Sequence, residues 1–89
     1  MKTPASILEA IAVAIRTVLH DTGRDAKVVE PTMLLSADLG LDSLDLAQTI
    51  VLLERSLGVD PFRVPGSVRP AIRTVSDLAS IYSQALDNP

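Results

Sequence analysis

Three windows of this chain repeat their apolar residues at helical spacing, and glycine or proline breaks the chain between them. In the first window Ile7, Leu8, Ile11, Ile15, Val18 and Leu19 recur every three or four residues, which gathers them on one buried helical face. Thr3 is placed to cap this helix, and Pro4 suits the first helical position because its missing N–H costs nothing there. Glu9 and Arg16 fall away from the stripe, and Gly23 closes the run after His20-Asp21-Thr22. The spacing predicts a helix over about 4–20. A second starts at Asp42-Ser43-Leu44-Asp45, a capping-box-like pattern with Asp in the last place. Leu46, Ile50, Leu53 and Leu57 form its expected inward stripe and Gly58 ends it, which predicts a helix over about 43–57. Thr74-Val75-Ser76-Asp77 repeats the capping pattern, and Val75, Leu78, Ala79, Tyr82, Ala85 and Leu86 predict a last helix over about 75–86.

The connections are long. Pro61, Pro65, Gly66 and Pro70 forbid a long helix and leave room for at most one short helix between 61 and 72. Residues 21–41 carry loop formers, yet Val28-Val29 and Met33-Leu34-Leu35 are too apolar for water and are expected to pack on the bundle. A hairpin there is disfavoured by Pro31. The reading is all-α: one small bundle of three main helices, four with the short one.

At 89 residues the chain has room for one domain, and its 47% apolar content suffices for a packed core. Phe62 and Tyr82 are its only aromatic residues, so the core is aliphatic and stacking surfaces for single-stranded nucleic acid are lacking. A net charge of −3 has the wrong sign for a phosphate backbone. No cysteine and one histidine, His20, exclude disulfides, thiolate metal sites and His-based metal clusters. The longest apolar run, Ala10–Ile15, is far short of the roughly 20 residues that span a bilayer. Glu9 interrupts any signal-peptide core, so a mature cytosolic protein is expected, as a monomer.

Chemistry concentrates in Asp38-Leu39-Gly40-Leu41-Asp42-Ser43-Leu44. The stretch puts the Ser43 hydroxyl in the first turn of a helix, off the Leu46/Ile50/Leu53 face and between Asp42 and Asp45. No base accompanies it, because His20 belongs to another element and reads as a helix-end histidine facing the last carbonyls. Ser43 is therefore better suited to be modified by another protein than to attack a substrate. The plainer alternative is a serine that satisfies orphan N–H groups at a helix start.

These residues resemble the attachment motif of the acyl carrier proteins, Asp-Ser-Leu at the start of the second helix preceded by Asp-Leu-Gly. Asp38-Leu39-Gly40 and Asp42-Ser43-Leu44 match it, and the likeness extends over nearly the whole chain, including a Thr-Val-x-Asp-Leu helix start at Thr74. The resemblance implies a carrier, not an enzyme. A phosphopantetheinyl transferase would move a 4′-phosphopantetheine arm from coenzyme A onto Ser43, with magnesium held at the transferase. The arm's thiol would carry acyl groups as thioesters to acyl-loading, condensing or acyl-transferring enzymes of fatty-acid, lipid or polyketide-type biosynthesis. In such carriers the residue at Asp42 helps the transferase recognise its substrate, and that at Leu44 packs on partners. By position along the second helix, Gln48, Val51, Glu54 and Arg55 would face partners. Ile50, Leu53, Phe62 and Ile72 are the candidates for the acyl pocket.

The chain departs from the family in its charge. Its second helix carries only Asp45 and Glu54 as acids, with Gln48 and Arg55 where acids are common. Arg55, Arg63, Arg69 and Arg73 against Glu54 and Asp60 give residues 54–73 a local excess of positive charge. Charge sets partner choice and association rate, which implies a specialised carrier with its own partners. Two alternatives stand beside this one. A peptidyl or aminoacyl carrier would use the same serine, although Leu41-Asp42 after a single Gly40 fits the acyl type better. An unmodified helical interaction module would keep the bundle and leave Ser43 as a plain cap.

Overall fold

The computed structural model describes residues 4–24, 28–62 and 72–87. Helix α1 is Pro4–Asp21, α2 is Ser43–Leu57 and α3 is Val75–Asp87. All three predicted helices are present, with boundaries one residue longer at the ends of α1 and α3. The expected cap Thr3 lies outside the described residues. So does most of the span offered for a short helix between 61 and 72, and the described residues hold three helices rather than four.

Helix α1 packs against both α2 and α3, and its apolar stripe supplies the centre of the core. Ile7, Ile11, Ile15, Val18 and Leu19 are buried, as the spacing predicts, while Leu8 is only half-buried, and Ala12 and Ala14 join the buried set. Each fully buried Ile or Leu contributes about 1.5–3 kcal/mol, so this one face carries much of the fold's stability. Val75, Leu78 and Tyr82 meet it from α3, and Leu53 and Leu57 from α2. The ring of Phe62 sits edge-on to Tyr82, with centroids 6.2 Å apart and planes at 73°. The Tyr82 hydroxyl is buried and has no hydrogen-bond partner among the described residues. Burial, and then the charges of Asp60 and Glu54, raise its pKa above the ordinary phenol value.

The inward face of α2 differs from the expected stripe at two of its four positions. Asp45, Thr49, Leu53 and Leu57 are its buried residues, while Leu46 and Ile50 are half-buried. Two polar side chains occupy core positions because both are satisfied there. The Thr49 hydroxyl donates to the Asp45 carbonyl at 2.9 Å, and the Asp45 carboxylate is paired with Arg24.

Among the described residues the segment before α2 forms no hairpin. Its one β-type pairing among the described residues is an antiparallel bridge between Leu34 and Thr74. Leu35 N–H donates to the Arg73 carbonyl and Val75 N–H to the Met33 carbonyl, which ties the segment to the start of α3. Adjacent side chains of an extended backbone face opposite ways, so Leu35 is buried and Met33 half-buried while Leu34 is 39% exposed. Val28 is also out, 72% exposed, and Val29 packs inward in its place. The expectation that all five apolar residues of this segment pack on the bundle therefore holds for Val29, Met33 and Leu35 and fails for Val28 and Leu34.

Candidate functional site

The approach to α2 is held from both sides by leucines. Leu39 and Leu41 are buried at 2% and 6% exposure, and Gly40 between them takes φ +70°. That left-handed conformation reverses the chain and strains any residue with a Cβ. Gly40 N–H donates to the Ser36 carbonyl, Leu41 N–H to the Leu35 carbonyl, and Leu34 N–H to the Asp38 carboxylate.

Asp42 is the N-cap of α2. Its carboxylate accepts from Asp45 N–H at 2.8 Å, and the Asp45 carboxylate accepts from Asp42 N–H at 3.1 Å, a complete capping box. Ser43 follows as the first residue of the helix proper, exposed, and no hydrogen bond engages its side chain among the described residues. Asp42 and Asp45 thus do the capping, and the Ser43 hydroxyl is left to solvent. His20 stands exposed in the last turn of α1, and no hydrogen bond joins it to Ser43 among the described residues. The site offers an accessible hydroxyl without a base of its own.

Arg24, to which the sequence reading gives no role, organises this region. Its guanidinium donates to the Asp45 carboxylate at 2.7 Å, to the Gly40 carbonyl at 2.6 Å and to the Thr22 hydroxyl at 2.9 Å. The Arg24 hydrogen bond, followed by that from Asp42 N–H, holds the Asp45 carboxyl below its ordinary pKa against the opposing effect of burial. An Arg–Asp pair separated by twenty-one positions leaves no periodic trace in a sequence. The only hint is an arginine in a polar turn just past a helix-ending glycine.

A groove of about 410 Å³ opens beside Ser43, walled by Leu34, Leu35, Leu41, Leu46 and Ile72, with Ser36, Asp42 and Arg73 also on its lining. An elongated, mostly apolar group joined to Ser43 has room there. A phosphate on the Ser43 oxygen would lie at the positive end of α2, the usual place for such an anion. The residues present therefore fit a phosphate-linked arm.

The other anticipated site residues divide by exposure. Leu44 is 66% and Val51 48% exposed, and Gln48 and Arg55 are exposed with them, so these four share one outward face of α2. Glu54 is half-buried at its edge. A second groove, of about 430 Å³, runs along this face between Gln48 and Val51 of α2 and Val18 and Asp21 of α1. Of the four pocket candidates, Leu53 is fully buried in the core, Ile72 lines the groove beside Ser43, and Ile50 and Phe62 are half-buried. Of the arginines, Arg55 and Arg73 are exposed, while Arg63 and Arg69 lie outside the described residues. The described residues hold no cluster of His, Asp and Glu suited to a metal ion, and no described helix is long and apolar enough to cross a membrane.

Comparison with known proteins agrees with this geometry. Residues 9–81 match the family model of the phosphopantetheine attachment site. The chain is also 31% identical over 61 residues to an acyl carrier protein of Syntrophobacter fumaroxidans, spanning 68% of this chain and 72% of that one.

Proposed function

This chain belongs to the acyl carrier family, whose members bear covalent 4′-phosphopantetheine, and we propose that Ser43 is the residue that takes the arm. The supporting observation is the division of labour at the start of α2, where Asp42 and Asp45 satisfy the helix end and leave the Ser43 hydroxyl exposed. A serine needed as a cap would be engaged with the backbone, so this arrangement disfavours the unmodified module.

In the transfer, Ser43 Oγ attacks the pantetheine-bearing phosphorus of coenzyme A. An Oγ–P bond forms, the P–O bond of the pyrophosphate breaks, and the adenosine bisphosphate half leaves. The hydroxyl proton goes to a base of the transferase, since this chain places none beside Ser43. When bound, the arm supplies a terminal thiol that holds an acyl group as a thioester, which the chain's own residues cannot do without cysteine.

Residues 1–89 then act as one acyl carrier domain, a cytoplasmic monomer. Asp42 contributes to recognition by the transferase. Leu44, Gln48, Val51, Glu54 and Arg55 meet acyl-loading, condensing or acyl-transferring enzymes of fatty-acid, lipid or polyketide-type biosynthesis. Ile50, Leu53, Phe62 and Ile72 surround the bound chain. The outward face of α2 presents Gln48 and Arg55 in place of a row of acids, which supports dedicated partners over general ones.

Intact mass spectrometry before and after incubation with a broad-specificity phosphopantetheinyl transferase, magnesium and coenzyme A tests this. The expected result is a mass gain of one arm, mapped to Ser43 and absent from a folded Ser43→Ala variant. An arm on Ser43→Ala would overturn the site. No arm on the folded wild type, with a control carrier modified alongside, would favour the interaction module.

A further inference from the structure

Arg24 joins three parts of the molecule that converge on Ser43. Its own N–H donates to the Leu19 carbonyl at 2.8 Å, which fixes its backbone to the end of α1. The Thr22 hydroxyl, bonded to the Val18 and Leu19 carbonyls, accepts from Arg24 Nε and orients the guanidinium. The two terminal nitrogens then reach in different directions, one to the Gly40 carbonyl and one to the Asp45 carboxylate. The same Asp45 oxygen also accepts from Asp42 N–H, the residue before Ser43.

We propose that Arg24 is a positioning residue for arm attachment: by clamping Gly40 and Asp45 to the end of α1 it presets the backbone of Gly40–Ser43 in the conformation that the transferase engages. This inference rests on Ser43 being the attachment residue. The planar fork of arginine is essential to it, because a lysine ammonium delivers its hydrogen bonds from one atom and cannot span acceptors on three segments. Among the described residues no hydrogen bond joins Arg24 to the Ser43 hydroxyl, and its guanidinium is taken up by Thr22, Gly40 and Asp45. Arg24 acts on the fraction of molecules whose attachment loop is competent, and the apparent affinity is the intrinsic affinity multiplied by that fraction.

Loss of the clamp should therefore raise the KM of the transferase for this protein and leave kcat in place. The test measures both for wild type, Arg24→Ala, Arg24→Lys and Ile11→Val, at a temperature where circular dichroism shows each variant folded. Arg24→Ala is expected to raise KM about tenfold with kcat changed by less than about twofold, and Arg24→Lys to fall between it and wild type. Ile11→Val, a core change at 0% exposure on α1, controls for lost stability and should leave KM unchanged. Amide hydrogen exchange on the unmodified protein supplies a readout independent of the transferase. Gly40, Leu41 and Asp42 should exchange faster in Arg24→Ala, while the core amides of α1 and α3 hold. If Arg24→Ala does not fold, Arg24→Lys carries the same comparison, since it keeps a cation beside Asp45.

A wild-type KM in Arg24→Ala would overturn the inference, and so would full recovery by lysine, which would reduce the role to charge. A folded wild type that takes no arm overturns the attachment reading and this inference together. A modified wild type with an indifferent Arg24→Ala overturns this inference alone.

Discussion

Asp45 is a carboxylate at 5% exposure, and the residues around it explain how the helix start tolerates that. Arg24 and the N–H of Asp42 both donate to it, so its charged form is favoured in the fold and its pKa lies below the ordinary 3.8. A carboxyl with a depressed folded pKa contributes stability that is complete above its unfolded pKa and fades as pH falls through the folded value. Asp77 is shifted the same way, by the N–H groups of Thr74 and Arg73. Thermal midpoints should therefore be steady above about pH 5 and fall below about pH 4. Asp45→Asn should show a shallower acid limb than wild type, because one of the two linked protonations is gone. An identical acid limb in both proteins would mean that Asp45 has no share in it. Asp45 was legible in the sequence as the last residue of a capping box. Its second role, as the anion of a core ion pair, was not, because hydropathy registers a carboxylate as surface and its cation stands in a different element.

Among the elements, α2 and α3 begin with the same device. Thr74 Oγ accepts from Asp77 N–H at 3.1 Å and the Asp77 carboxylate accepts from Thr74 N–H at 3.0 Å, mirroring Asp42 and Asp45. Such local motifs are fixed by residues three apart, and both starts could be read directly. Removing the cap with Thr74→Ala should cost about 1 kcal/mol in urea unfolding with an unchanged denaturant slope. A loss near zero would show that the bridge from Leu34 to Thr74 alone fixes the start of α3. The end of α2 is equally local: Gly58 takes φ +76° and its N–H donates to the Glu54 carbonyl. The rotation of the α2 face is not local. Periodicity places Leu46 and Ile50 inward, and the turn towards Asp45 and Thr49 depends on where Arg24 stands in the turn after α1.

For the whole molecule, stability depends on a few shared contacts at α1. A domain of this length holds on the order of 4–13 kcal/mol in total. Leu53 is more deeply buried than Leu57, the other leucine through which α2 joins the core. Leu53→Ala should cost about 2–5 kcal/mol, a large share of that total, and denaturant titration should show a midpoint shifted far below wild type. The expected change in modification differs from that of Arg24→Ala. Where Leu53→Ala is folded, KM should stay near wild type, because the clamp on Gly40 and Asp45 is intact. A rise in KM as large as that of Arg24→Ala would show that attachment follows global stability and not the clamp.

The sequence by itself determined the helices, the caps of α2 and α3 and the candidate serine, since each depends on residues within a few positions of one another. Apolar spacing, Gly58 and the paired Asp and Thr starts impose their structure wherever the chain goes. Only the tertiary structure decided which face of α2 turns inward, that Val28 and Leu34 stay out while Leu35 goes in, and that Arg24 holds Gly40 and Asp45. Those outcomes depend on contacts between groups distant in sequence, and a buried polar residue becomes stable only when its partner has been brought to it by the packing of another helix.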